Sequence, residues 1–126
     1  FDKLIGVEVV PQAVENAAEN AEKSGVKNAE FICGDAGTIS EKLSADGLKP
    51  DVIVVDPPRK GCDEKTLSSC IKMSPERIVM ISCNPATAAR DCAYLTDNGY
   101  RLVSVRGVDM FPRTSHVECV ILLKKQ

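Results

Sequence analysis

At 126 residues, 44% of them hydrophobic, the chain is one globular domain, long enough to bury its own core. Sixteen Lys and Arg against 18 Asp and Glu leave a net charge of -2, and three Phe and two Tyr are the aromatic residues. That balance excludes a domain that grips nucleic acid by bulk positive charge or by a base-stacking platform, so a polyanionic partner needs another module to hold it.

The cysteines (Cys33, Cys62, Cys70, Cys83, Cys92 and Cys119) include no CxxC pair, and one histidine offers no zinc-ligand spacing, so no metal is expected. They fall in strand-like runs, helices and one loop, which reads as reduced thiols in a cytoplasmic protein. The sequence shows no signal peptide and no run of 18 apolar residues, so no membrane is expected as a partner. It begins at Phe1 and is strand-like by Leu4, as expected of a fragment of a longer protein.

Taken in order, Leu4 to Val10 is a near-continuous apolar run, the pattern of a parallel strand covered on both faces, with Glu8 near its end. Pro11 opens a helix in which Val14, Ala17, Ala18 and Ala21 share a face, Glu19 and Lys23 pair, and Gly25 ends the element. Ala29 to Cys33 is a second strand, followed by Gly34-Asp35-Ala36 and a polar, partly helical stretch to Gly47. Asp51 to Val55 is the most strand-like segment, and Asp56-Pro57-Pro58-Arg59-Lys60-Gly61 terminates it abruptly. Leu67, Cys70 and Ile71 mark a short helix that leaves through Ser74-Pro75.

The run from Pro75 to Ser82 is a buried strand, and Cys83-Asn84-Pro85 sets a cysteine just before a helix that Gly99 closes. Arg101 to Val108 and His116 to Leu123 then read as two antiparallel strands. Strand and helix alternate four times, which predicts an α/β fold with a mostly parallel, doubly wound sheet and an antiparallel C-terminal strand pair.

Four candidate residues, Glu8, Asp35, Asp56 and Cys83, lie at or just after strand ends, which in such a sheet converge on one crevice. A thiol before a helix N-terminus is favoured as thiolate, although a small buried thiol is the bland alternative. Glu8 is placed to accept from ribose hydroxyls, or is a surface acid. Asp35 is either a nucleoside contact or the N-cap of the next helix. Two prolines after four successive β-branched residues make a rigid exit that presents Asp56 and backbone carbonyls to the crevice. Glu118 interrupts an apolar strand. It is either a carboxylate held where its pKa suits a general base, or a residue facing solvent on an edge strand. His116 reads as a structural hydrogen-bonder.

Taken together, Gly6-Val7-Glu8, Gly34-Asp35-Ala36, Asp56-Pro57-Pro58-Arg59-Lys60-Gly61, Ser82-Cys83-Asn84-Pro85 and Phe111-Pro112-Arg113-Thr114-Ser115-His116-Val117-Glu118 resemble the S-adenosyl-L-methionine-dependent RNA uracil-C5 methyltransferases. The resemblance implies a Rossmann-like class I methyltransferase domain with strand order 3-2-1-4-5-7-6, truncated before its first, central strand. It implies that the N-terminal RNA-binding barrel and the glycine-rich first loop lie outside residues 1–126. It implies Cys83 as the nucleophile that adds to C6 of the target uracil and Glu118 as the base that removes the C5 proton. Glu8, Asp35 and Asp56 would contact S-adenosyl-L-methionine, and Asp56, Arg59 and Phe111 the base of an RNA, 23S rRNA foremost or tRNA. A flipped-out or single-stranded uridine is required, and the fragment alone is expected to be inactive.

Three alternatives stand beside this. RNA cytosine-C5 methyltransferases also use cysteine, but typically in Pro-Cys steps, and this chain has none. Amino-group methyltransferases acting on adenine or guanine carry a related Asp-Pro-Pro loop, but want an aromatic ring where Arg59 stands. A non-catalytic RNA-binding or interaction module would need neither Cys83 nor Glu118.

Overall fold

A computed structural model describes residues 1–110, 112–114 and 116–126. Phe111, expected to touch the base, and Ser115 lie outside the described residues. The elements run β1 (Leu4–Glu8), α1 (Pro11–Lys23), β2 (Ala29–Cys33), α2 (Ala36–Ala45), β3 (Val52–Val55), α3 (Glu64–Met73), β4 (Arg77–Ser82), α4 (Pro85–Asp97), β5 (Tyr100–Val108) and β6 (Glu118–Lys125).

Strand-to-helix turns are set by local chemistry. Asp35, Asp63 and Asn84 stand before α2, α3 and α4, and their side chains accept from the backbone N–H groups of Thr38, Thr66 and Ala86 at 2.9, 2.7 and 3.1 Å. Pro85 and Pro11 occupy first-turn positions where a missing N–H costs nothing. Gly25 closes α1 with φ +71°, and the Glu19–Lys23 pair forms at 3.1 Å.

The strands form two sheets where alternation predicts one. β1 and β2 pair in parallel, and a second sheet has the order β3-β4-β6-β5. Placed end to end as β2-β1 and β3-β4-β6-β5, they follow the expected seven-stranded order with a break between β1 and β3, where the central strand would run. Among the described residues no strand pairing crosses that break. The sheets are joined by helix packing instead, because α2 touches both α3 and β1. Gly37 permits this approach: a Cβ there would sit 3.0 Å from both carboxylate oxygens of Asp63.

In the second sheet β4 is parallel to β3, while β6 runs antiparallel between β4 and β5. β6 is therefore an interior strand, which corrects the edge-strand alternative for Glu118. Alternation along β4 sends Ile78, Met80 and Ser82 to one face, where they meet Cys119, Ile121 and Leu123 of β6 under Leu67, Cys70, Ala88, Cys92 and Leu95 of α3 and α4. Leu123, Met80 and Ile78 are almost fully buried, each contributing about 1.5–3 kcal/mol by removal from water. Coverage is one-sided. On the opposite face, Val54 and Val52 of β3, beside the break, are 62% and 42% exposed. α1 likewise has no fully buried residue, and only Val14, Ala17 and Ala21 of its apolar stripe are half-buried.

All six cysteines are free thiols. Burial pushes Cys62 up to about 12 and both Cys70 and Cys92 up to about 11, with Asp91 adding to the effect at Cys62 and Cys92. An unfolded thiol titrates near 9.0, so above that pH the unfolded chain sheds protons that the native chain keeps, and stability falls as pH rises. The urea midpoint should therefore decline between pH 9.0 and about 11, and less steeply in a Cys70→Ala/Cys92→Ala variant. An equal decline in the two proteins would contradict this assignment.

Candidate active site

Two groups of candidate residues emerge, one on each sheet. On the first, Glu8 ends β1 and Asp35 follows β2, whose last residue Cys33 is level with Glu8. Both carboxylates are exposed. Glu8 Oε1 accepts the Val10 N–H at 2.8 Å, which fixes the carboxylate at the strand terminus. Asp35 Oδ1 accepts from Thr38 N–H and Oγ1–H at 2.9 and 3.0 Å, and these bonds lower its pKa. Asp35 is thus the N-cap of α2, one of the two roles open from sequence.

On the second sheet, Asp56 follows β3, Cys83 follows β4 and Glu118 begins β6. The β4–β6 ladder runs from Arg77 opposite Lys124 to Ser82 opposite Cys119. The ladder ends at that pair: the next residue on one side is Cys83, in the turn from β4 to α4, and on the other Glu118, the first residue of β6. Ser82 and Cys119 point into the core. Both Cys83 and Glu118 are half-buried, neither sealed in the core nor open to bulk water. Val117 packs against the core just before Glu118, and Val108 of β5 lies across from Glu118 on its other side.

The loop 56–61 is held by α4. Asn84 Nδ2 and Thr87 Oγ1 donate to the Arg59 carbonyl at 2.9 and 3.2 Å. Arg90 Nη2 donates to the carbonyls of Lys60 and Cys62 at 3.0 and 3.3 Å, and the Cys62 N–H donates to Asp91 Oδ2 at 2.7 Å. Arg59 reaches across to His116, with Nη2 and Nδ1 3.3 Å apart, so the histidine expected as a structural hydrogen-bonder ties this loop to the segment leading into Glu118. Asp56, Arg59 and His116 are all exposed.

Sequence reasoning placed Glu8, Asp35, Asp56 and Cys83 in one crevice. The structure brings Cys83, Glu118 and the Asp56–Arg59 loop to one end of the second sheet, and sets Glu8 and Asp35 on the first. It also adds Thr87, Arg90 and Asp91, which the sequence reading missed. The signal was available: Asp91 sits at i+3 from Ala88 and i−4 from Leu95, a carboxylate inside an apolar stripe. Among the described residues no cluster of three or more metal-ligating side chains occurs, and no helix is long and apolar enough to cross a membrane.

Comparison with known proteins gives these motifs a context. The family model described as tRNA (Uracil-5-)-methyltransferase matches residues 1–126. An uncharacterized RNA methyltransferase of Oceanobacillus iheyensis is 55% identical over 118 residues, 94% of this chain and 26% of the relative. One from Bacillus cereus is 50% identical over 123 residues, 98% of this chain and 27% of its own length. The chain thus spans about a quarter of the curated relatives it matches. The crystal structure of Pyrococcus abyssi tRNA (uracil-54, C5)-methyltransferase in complex with S-adenosyl-L-homocysteine superposes with a TM-score of 0.80 at 36% identity, covering 96% of this chain and 28% of that one. An rRNA methylase from Streptococcus thermophilus, at 12% identity and TM-score 0.72 over 98% of this chain and 73% of its own, shares the Rossmann-like fold. With the match running from the first residue to the last, the chain belongs to the tRNA (uracil-5-)-methyltransferase family.

Proposed function

We propose that the whole protein carrying this chain transfers a methyl group from S-adenosyl-L-methionine to C5 of a uridine in structured RNA, through a covalent bond between Cys83 and C6 of the base. The observation that supports this reading is the β4–β6 ladder, whose last pair, Ser82 opposite Cys119, is followed directly by Cys83 on one strand's exit and preceded by Glu118 on the other. Of the two RNA classes expected, tRNA is favoured over 23S rRNA by the family's description and by the name of the Pyrococcus enzyme.

The acceptor groups present suit the cofactor. Glu8 and Asp35 are carboxylate acceptors at the ends of two paired parallel strands, suited to ribose hydroxyls and an adenine amino group. Asp56 stands at the end of β3, the neighbour of the strand that precedes Cys83, and would serve at the boundary between cofactor and base. When bound, S-adenosyl-L-methionine supplies the electrophilic sulfonium methyl that C5 takes up.

The chain's own residues do the rest. The Cys83 thiolate adds to C6, forming the Sγ–C6 bond and moving the C5=C6 electrons toward O4, which makes C5 nucleophilic. After methylation, the Glu118 carboxylate takes the proton from C5. The C–H electron pair rebuilds C5=C6 and expels Cys83 as thiolate, leaving 5-methyluridine and a protonated Glu118 that returns its proton to solvent. Arg59, anchored by its carbonyl and facing His116, is positioned as a contact for the base or its phosphate. A paired uridine is inaccessible to this attack, so the base must be extruded or unpaired.

Two experiments on the full-length gene product test this. RNA carrying 5-fluorouridine should form a denaturation-resistant adduct with the protein that is lost in Cys83→Ala. An amino-group methyltransferase or a binding module would form none. Glu118→Gln should slow turnover on natural RNA by about a hundredfold or more, because proton removal by a placed base is worth at least that much, while the uncleaved Cys83–RNA adduct accumulates on denaturing gels. Unchanged turnover in Glu118→Gln would remove that residue from the mechanism.

A further inference from the structure

We propose that Arg90 and Asp91 are a positioning pair that indexes the Asp56–Gly61 loop against the helix start carrying Cys83. The inference rests on the uridine-methylation reading and names residues of the same site that act without touching substrate.

The loop has little means of holding its own shape. Pro57 and Pro58 have no N–H, and its internal backbone bond runs from the Gly61 N–H to the Pro58 carbonyl at 2.8 Å. What fixes it is one face of α4. Asn84, Thr87 and Asp91 fall at i, i+3 and i+7, with Arg90 beside them, and together they engage the carbonyls of residues 59, 60 and 62 and the N–H of Cys62.

Three features separate this arrangement from an ordinary surface ion pair. Asp91 is 1% exposed, although its partner's side chain is 58% exposed. A buried carboxylate is retained only where its lone pairs are taken, and here Arg90 Nε and Nη2 donate to Oδ1 at 2.9 and 2.7 Å while Cys62 N–H donates to Oδ2. Gly61 shows how tightly the loop is seated. Its φ is +86°, and a Cβ at this position would collide with Arg90 Nη2 and lie 2.7 Å from Asp91 Oδ2. Finally, the anchoring helix starts directly after the nucleophile. Asn84, bonded to the Arg59 carbonyl, is the residue next to Cys83. Movement of the loop on α4 is therefore movement of Asp56 and Arg59 relative to the Cys83 thiol. Misplacing reacting groups by about 1 Å can cost on the order of a hundredfold in rate.

The closing experiment uses Arg90→Gln in the full-length gene product, because the glutamine amide can still donate to the buried Asp91 carboxylate while the charge and the guanidinium fork are lost; the melting temperature measures the cost of the unpaired carboxylate. Asp91→Asn is the second variant. Cofactor and RNA KM, kcat, the rate of adduct formation with 5-fluorouridine RNA, the melting temperature and amide exchange at Gly61 and Cys62 are read together. The inference expects faster exchange at these two amides, kcat and adduct rate both lowered about tenfold or more, and both KM values within about twofold, with Arg90→Lys restoring part of the loss because it keeps charge but not the guanidinium fork. Unchanged kcat and adduct rate would overturn it. So would a loss that only tracks the unfolded fraction, or a raised RNA KM at constant kcat, which would make Arg90 an RNA contact. If the unsubstituted protein forms no adduct at all, the methylation reading itself fails and this inference falls with it. If the unsubstituted protein and Arg90→Gln form the adduct at the same rate, that reading stands and only the positioning role is refuted.

Discussion

The antiparallel ladder between β4 and β6 is the constraint on which the rest of this molecule depends. It does two jobs with one register. On the inner face it stacks Ile78, Met80 and Ser82 against Leu123, Ile121 and Cys119, with Met80 and Leu123 the most deeply buried residues of the core. At its end, one step beyond Ser82 and Cys119, stand Cys83 and Glu118. Because side chains alternate with a period of two, a slip of a single residue would expose the core set and separate thiol from carboxylate together. Packing energy thereby holds in place the strand ends from which the proposed nucleophile and base project.

The second level of organisation is the seating of loop 56–61 on α4. Prolines remove the loop's own donors, and a helix supplies replacements from Asn84, Thr87, Arg90 and the acceptor Asp91. Strand β3 and helix α4, which are not neighbours in sequence, are in this way coupled around Cys83. Arg59 extends the coupling to His116 and hence to the approach to β6. By contrast, Glu8 and Asp35 stand on a sheet joined to this unit by α2–α3 packing and, among the described residues, by no strand pairing. β1 and β3 each carry a free edge at that boundary, and unpaired strand edges of this kind are templates for a further strand. Cys83, Glu118 and the loop 56–61 thus share one sheet, while Glu8 and Asp35 stand on the other.

Much of this was legible in the amino acids. The β-branched run Val52–Val55 and the proline pair after it fixed a strand and its abrupt end, and Asn84-Pro85 fixed the start of α4. Asp35 shows the limit of pattern reading: an acid after a strand suits a nucleoside contact and a helix cap equally, and only the bonds to Thr38 show that the cap is formed. Glu118 shows another. Alternation cannot say whether a strand is interior or at an edge, and the insertion of β6 between β4 and β5 is a long-range fact. Asp91 stands out as a carboxylate inside an apolar stripe, but what it and Arg90 bind is not legible, because their loop partners are backbone groups far away in the sequence. The break in the sheet follows from strand order, but the exposed face bearing Val52 and Val54 does not.

The most direct test of the account is a cross-link. Directly opposed residues in an antiparallel pair have Cα atoms about 4.5–5.5 Å apart, within the span a disulfide accepts. A Glu118→Cys variant, oxidised with glutathione and mapped by peptide mass spectrometry, should join Cys83 to the introduced thiol and leave the inward-facing Cys119 reduced. If Cys83 stays free, or bonds elsewhere, thiol and carboxylate do not meet as the ladder requires, and the account is wrong at its base.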